Sequence, residues 1–192
     1  MRTRAPGESA LLLLDAVDVL NAHQVKYAVI GALAACVHGA VRASLDADVV
    51  VSAGVVEGGR MERAFTDAGF RAELARGDPD DPIPGMLHLS DEFENRVDLL
   101  LGIRGLDPKA FGRTVQVPFQ GTTLEVIGRE DFIAMKVFAG GPIDLADAAS
   151  AIAADPKSLD VGLVRRLAAR FGRDASTALD SLLSKQNRGP DA

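Results

Sequence analysis

The stretch Tyr27-Ala-Val-Ile-Gly-Ala-Leu-Ala-Ala-Cys-Val-His-Gly-Ala-Val-Arg-Ala-Ser-Leu-Asp-Ala-Asp-Val-Val-Val51 decides how this chain is read. Its first four residues form a short β-like run that stops at Gly31. Residues 32–39 are small and Ala-rich, which predicts a short helix closed by Gly39. A helix that starts at a tight glycine turn presents unpaired backbone amides, a natural place for phosphate oxygens. Residues 47–51 are rich in valine and predict a second strand. Asp46 and Asp48 stand two apart at its start, so their carboxylates project from one face. Carboxylates on one face repel unless a cation lies between them. Mg²⁺, held by one or two carboxylates plus substrate phosphates, suits that position.

Outward from this stretch, Arg96-Val-Asp-Leu-Leu-Leu101 predicts another strand, with Asp98 flanked by Val97 and Leu99. A carboxylate in so apolar a run is unfavourable if buried alone, and a metal site shared with Asp46 and Asp48 removes that penalty. Apolar spacing over residues 11–20 predicts an amphipathic helix ahead of the first strand. Residues 57–68 read as a helix stopped by Gly69, with Gly58-Gly59 as a turn, and residues 75–84 as a loop. Two weaker strands at 114–117 and 122–127 flank Gln120-Gly121, a hairpin turn. After Gly128 the chain becomes helical, over residues 131–139, 144–154, 161–171 and 175–185, and residues 187–192 form a polar end expected to fray. The fold class is therefore α+β: a mixed β-sheet flanked by helices over residues 1–127, followed by a C-terminal helical bundle over 128–192.

Composition narrows the function classes. The 192 residues are 47% hydrophobic and 25% charged, with no Trp, so Leu, Val, Ile and Ala must build the core. A net charge of -6 gives no global drive toward nucleic acid, although a local basic face on the C-terminal helices (Arg165, Arg166, Arg170, Arg173) is the expected contact if RNA is a substrate. The single cysteine, Cys36, reads as a small core residue, and a lone cysteine suits a reducing compartment. His38 reads as structural, and three histidines without a paired spacing argue against zinc. The apolar run at 10–14 is too short for a signal peptide or membrane span, so a cytoplasmic protein with no membrane partner is expected.

The quoted stretch resembles the signature of the nucleotidyltransferase (polymerase β-like) superfamily, and within it the AbiEii/MenA-type toxins and minimal nucleotidyltransferases. The matching residues are Gly31, Ala34, His38, Gly39, Arg42, Ser44, Asp46 and Asp48. A second block, residues 128–136 ending at Lys136 and followed by Asp144 and Asp147, is similar to the helices that follow the sheet in that family. Together with the Asp98 strand the resemblance spans residues 10–155. It implies a nucleotidyltransferase-type fold with Mg²⁺ on Asp46, Asp48 and Asp98, and with Asp98 helping to deprotonate an attacking hydroxyl. It also implies an NTP site built from Gly31, Ala32, Arg42, Ser44 and Lys136. The expected reaction transfers a nucleoside monophosphate to a tRNA or protein acceptor, plausibly by a toxin with a cognate antitoxin. Read as residues, Arg42 binds phosphate or pairs with an aspartate, Lys136 binds phosphate, pairs with the acidic cluster or lies along a helix surface, and Asp144 and Asp147 suit a helix N-terminus. The chain departs from the family pattern at Ala32, where Gly or Ser is usual, and at residues 139–143, which lack the usual basic residue. These departures motivate the alternative of a non-catalytic relative that binds a nucleotide or a protein.

Overall fold

Residues 1–40 and 42–187 are described by a computed structural model; Val41 and most of the expected polar end, residues 188–192, lie outside the described residues. The chain divides into two units. The first comprises Met1–Leu33, Ala43–Arg104 and Thr114–Val126; the second comprises Ala34–Arg42, Gly105–Arg113 and Ile127–Ala192. The helical region thus takes in two segments that precede residue 127.

In the first unit, β1 (Tyr27–Val29), β2 (Asp46–Val51), β3 (Arg71–Arg76), β4 (Gly85–Ser90), β5 (Arg96–Leu101), β6 (Val115–Phe119) and β7 (Thr122–Val126) form one seven-stranded sheet in the order β3-β4-β5-β2-β1-β7-β6. The pairs β2–β5 and β1–β7 are parallel and the others antiparallel, so the sheet is mixed. Side chains alternate across a strand. Ala47, Val49, Leu87, Leu89, Val97 and Leu99 consequently share the buried face. Helix α1 (Ser9–Ala22) packs on β2 and β5 and buries Leu12, Leu13, Leu14, Val17 and Leu20. Helix α3 (Gly58–Asp67) packs on β3 and β4. The opposite face of β2, β4 and β5 carries Asp46, Asp48, His88, Ser90, Arg96 and Asp98, and that alternation alone sets the site on one side of the sheet.

The helix over residues 57–68 is present as α3, but Gly58 and Gly59 are its first turn rather than a separate turn. A Cβ at Gly58 would lie 3.0 Å from methyl groups of Leu74 and Leu101, so glycine lets the helix sit close against the strands. Strand β3 was not foreseen, and its last residues, Ala75 and Arg76, lie in the expected loop, because Arg71-Ala-Glu-Leu-Ala-Arg76 has low intrinsic β preference. Its six-residue ladder with β4 and a hydrogen bond from Leu74 N–H to Glu62 Oε1 (3.0 Å) hold it instead. The expected hairpin forms around Gln120 (φ 48°) and Gly121 (φ 79°), the positive-φ pair of a two-residue turn matched to strand twist.

Helix α2 (Gly31–Val37) begins in the first unit and ends in the second. The second unit also contains α4 (Arg129–Ala139), α5 (Pro142–Ala154), α6 (Val161–Arg170) and α7 (Arg173–Asn187), close to the four expected helices. Helix α4 is central: it packs against α5, α6 and α7 and buries Phe132, Ile133, Ala134 and Val137. Its first turn is anchored by Arg113, whose guanidinium donates from Nε and Nη2 to the two oxygens of buried Asp131, both at 2.7 Å. Proline at the first position of α5 and an αL glycine, Gly140, after α4 give the sharp α4–α5 corner. Among the described residues no helix is long and apolar enough to cross a membrane.

His38 is structural, as its sequence context suggests. It is buried, lies tilted against Phe132 with ring centroids 5.2 Å apart, and places Nε2 2.7 Å from the Ile127 carbonyl, to which it donates. Burial lowers its pKa, aided by the charge of Arg129 and opposed by the Ile127 hydrogen bond and Glu130. The folded protein therefore holds the ring neutral, and as pH falls below about 6.5 the unfolded chain takes up the proton first. The His38 contribution to stability is complete above that pH and is lost as pH falls toward the lowered folded value. Urea unfolding at pH 7.5 and 5.5 should show a smaller drop for His38→Gln, which keeps a donor but does not titrate, than for wild type.

Candidate active site

The parallel pairing of β2 with β5 sets Asp48 directly opposite Asp98, and Asp46 opposite Arg96. On the next strand His88 lies opposite Asp98 and Ser90 opposite Arg96, and on β3 Glu73 and Arg71 continue the two lines. The exposed face thus carries two polar rows, Glu73–His88–Asp98–Asp48 and Arg71–Ser90–Arg96–Asp46, across four adjacent strands. Both rows border an open groove of about 790 Å³ that includes Asp46, Glu73, His88, Arg96 and Asp98. His88 Nδ1 stands 2.7 Å from Asp98 Oδ1. An ionised carboxylate only accepts, so the ring nitrogen donates.

Two local devices hold the rows in register. Ser9, buried at the start of α1, donates its hydroxyl to the Leu45 carbonyl (2.5 Å) and accepts the Arg96 amide (3.0 Å), so one side chain ties the entrances of β2 and β5 together. At the β4–β5 corner, Asp91 Oδ1 accepts the amides of Phe93 (2.8 Å) and Asn95 (3.0 Å), and the Asn95 side chain reaches back to Glu8 N and Ala5 O. Gly31 is the third fixed point. Its φ is +61°, and a Cβ built there would overlap the Asp48 carboxylate. The adjacent Ile30 amide donates to Asp48 O at 2.9 Å.

The expected metal residues Asp46, Asp48 and Asp98 thus share one face, with Asp48 and Asp98 on neighbouring strands about 4.8 Å apart. Among the described residues no group of three or more His, Cys, Asp or Glu is drawn together to hold a metal ion. Mg²⁺ bound with a nucleotide needs only one or two carboxylates beside the phosphates, and hard carboxylate oxygens are its preferred donors. The donor set on this face fits that requirement, and the bare Gly31 admits the Asp48 carboxylate, which stands where a Cβ would be.

The expected nucleotide residues distribute differently. Gly31 adjoins Asp48, Ala32 is buried, and the exposed Ser44 accepts the Asp46 amide at 3.4 Å. In the second unit, Lys136 lies 2.7 Å from Asp144 and 3.0 Å from Asp147, and Arg42 Nε lies 3.3 Å from Asp147. Lys136 is only 12% exposed, so it does not run along a helix surface, and Asp144 and Asp147 are ion-pair partners as well as helix N-terminal acids. Cys36 is exposed rather than a core residue. In the expected basic face, Arg165 pairs with Asp180 at 3.2 Å, and Arg170 donates to the Gly105 carbonyl at 3.0 Å. Sequence reasoning missed His88 and Ser9. The alternation of Leu87 and Leu89 with Met86, His88 and Ser90 was the available sign for His88.

No family model and no curated protein matches the sequence. Solved structures do. The chain is similar to the solution structure of the antibiotic-resistance factor ANT(2'')-Ia (TM-score 0.60, 14% identity, 95% of this chain and 98% of that chain). It is also similar to an antigenic nucleotidyltransferase-like protein from Paracoccidioides brasiliensis (TM-score 0.57, 14% identity, 97% and 92%). A third similar structure is ANT(2'')-Ia in complex with adenylyl-2''-tobramycin (TM-score 0.55, 15% identity, 84% and 95%). At this identity the likeness shows the fold, which is of the nucleotidyltransferase type expected from the sequence.

The Gly31–Asp48 contact gives a direct test. Gly102 also has positive φ (+89°) but faces open space, so Gly102→Ala should cost about 1–2 kcal/mol from backbone strain alone. Gly31→Ala adds the overlap with Asp48 and should cost about 2–4 kcal/mol in urea unfolding. Equal losses for the two variants would show that Asp48 moves aside without penalty.

Proposed function

We propose that this protein is a nucleotidyltransferase that moves a nucleoside monophosphate from an NTP to a hydroxyl-bearing acceptor. The observation that supports this reading most is the placing of Asp46, Asp48 and Asp98 on one face of two paired parallel strands, beside a glycine that leaves room at Asp48. A nucleotidyltransferase-type fold with this carboxylate geometry is suited to phosphoryl chemistry. Asp46, Asp48 and Asp98 would hold Mg²⁺, which supplies charge neutralisation at the attacking and leaving oxygens. The α2 N-terminus at Gly31 supplies backbone amides for phosphate oxygens. Asp98 is the acceptor for the proton of the attacking hydroxyl.

The groove narrows the acceptor. Its lining holds four carboxylates (Asp46, Glu73, Glu94, Asp98) against two arginines, of which Arg71 is already paired with Glu94 at 3.1 Å. Such a wall repels a polyanion, which favours a protein side chain or a small uncharged or amine-bearing acceptor over tRNA. A second reading, a non-catalytic nucleotide- or protein-binding relative, draws support from Lys136 and Arg42, whose charges are met by Asp144 and Asp147 within their own unit.

Calorimetric titration of ATP, CTP, GTP and UTP in Mg²⁺ separates the proposed enzyme from a protein-binding relative, and release of pyrophosphate from the bound NTP separates it from a nucleotide-binding one. The proposed activity requires metal-dependent binding of at least one NTP by wild type and its loss in Asp46→Asn/Asp48→Asn. No binding of any NTP overturns it in favour of a protein-binding role.

A further inference from the structure

The pairing of His88 with Asp98 goes beyond the expected carboxylate set. We infer that His88 is a positioning residue for the metal site: its Nδ1–H occupies Asp98 Oδ1, which fixes the carboxylate rotamer and leaves Oδ2 as the metal-facing oxygen. This inference rests on the nucleotidyltransferase reading of the same face.

Three observations carry it. First, the contact is short, 2.7 Å, and lies on the exposed face in register, His88 opposite Asp98 and Asp98 opposite Asp48, so the imidazole stands on the side of Asp98 away from Asp48. Second, a strand is a rigid support. Both flanking residues of His88, Leu87 and Leu89, are buried in the core, which limits the freedom of the backbone that carries the ring. Third, Asp98 needs such a partner. An aspartate χ2 torsion is broad and soft, so without a hydrogen bond its oxygens interchange. A neighbouring carboxylate of like charge on β2 would turn it away from the site. Ligating carboxylates are ordinarily hydrogen-bonded in turn, and removal of that outer partner typically lowers metal affinity by about 10–100-fold.

The geometry also says which substitution should replace histidine. Asparagine carries an amide N–H at the position of imidazole Nδ1, whereas glutamine carries it one bond further out, nearer the position of Nε2. If the role of His88 is to hold Asp98, His88→Asn retains it, and His88→Gln and His88→Ala do not. A merely structural role, or a contact of the ring with substrate through its other nitrogen, gives a different order.

The test is Mn²⁺ binding in the presence of ATP, read by electron paramagnetic resonance of free Mn²⁺, on the full chain at a fixed pH. Circular dichroism would confirm that each variant is folded. We expect His88→Ala and His88→Gln to bind Mn²⁺ about tenfold more weakly than wild type and His88→Asn to bind within about twofold, in the range of known outer-partner effects. Asp98→Asn is the reference for full loss of that ligand. If Asp98→Asn weakens binding while His88→Ala matches wild type, the inference about His88 fails and the nucleotidyltransferase reading stands. If Gln rescues and Asn does not, the role as Asp98 holder is likewise overturned. If wild type binds no Mn²⁺ with ATP, the metal-dependent reading itself fails and takes this inference with it.

Discussion

The parallel pairing of β2 with β5 is the constraint on which the rest of the first unit depends. It sets two carboxylates, Asp48 and Asp98, side by side on neighbouring strands, an arrangement that is unfavourable by itself because like charges repel. The surrounding structure offsets this from three directions. His88 gives Asp98 a donor on its far side. Ser9 ties the strand entrances, and Gly31 keeps the space at Asp48 clear. The apolar face beneath, with Val49, Val97 and Leu99 fully buried, supplies the packing that holds both strands in place against the repulsion. A slip of one residue in either strand would turn its acids into the core, so the hydrophobic alternation and the polar site specify the same register.

Much of this was legible in the sequence. Asp46-Ala-Asp48 ahead of three valines, and Asp98 inside Arg96–Leu101, gave both strands and the shared face, because a period of two is unambiguous when one side is wholly apolar. The hairpin at Gln120-Gly121 and the four late helices were also readable, since each has its own turn or break residues. The missed parts share a cause. Strand β3 lacks β-forming residues and exists because β4 offers a six-residue ladder. Ser9 and His88 act through partners 36 and 10 positions away, at Leu45 and Asp98, and no local pattern encodes such a distance. Pairing with acids was among the readings of Lys136 and Arg42, but which acids was hidden in the same way: Asp144 and Asp147 carry a local explanation as helix N-terminal acids, and only the folded unit shows their second role.

The second unit shows how the same kinds of residue serve stability. Asp131 is buried and receives both arms of Arg113, and Asp147 is buried between Lys136 and Arg42. Such pairs seldom stabilise beyond what apolar residues of equal size would, but once present neither partner can be removed cheaply. They therefore fix where α4 and α5 lie rather than how strongly the unit holds together. The distinction matters for function. A cation paired with buried Asp147 and half-buried Asp144, as Lys136 is, is not free to meet a phosphate unless the incoming charge competes with both.

The contrast between the two sets of acids gives the last step. Asp131 and Asp147 are buried and each meets a cationic partner within its unit. On the sheet face, Asp46 is exposed and Asp98 is met by an imidazole through one oxygen only. The buried acids are thus satisfied within their units, whereas Asp46 and Asp98 line an open groove where a cation can reach them. On the proposed function, divalent metal carried in with nucleotide phosphates would suit this face, since phosphates supply the ligands that two carboxylates leave open. The groove's charge would then change on loading, from acidic before the metal arrives toward neutral at Asp46 and Asp98 afterwards.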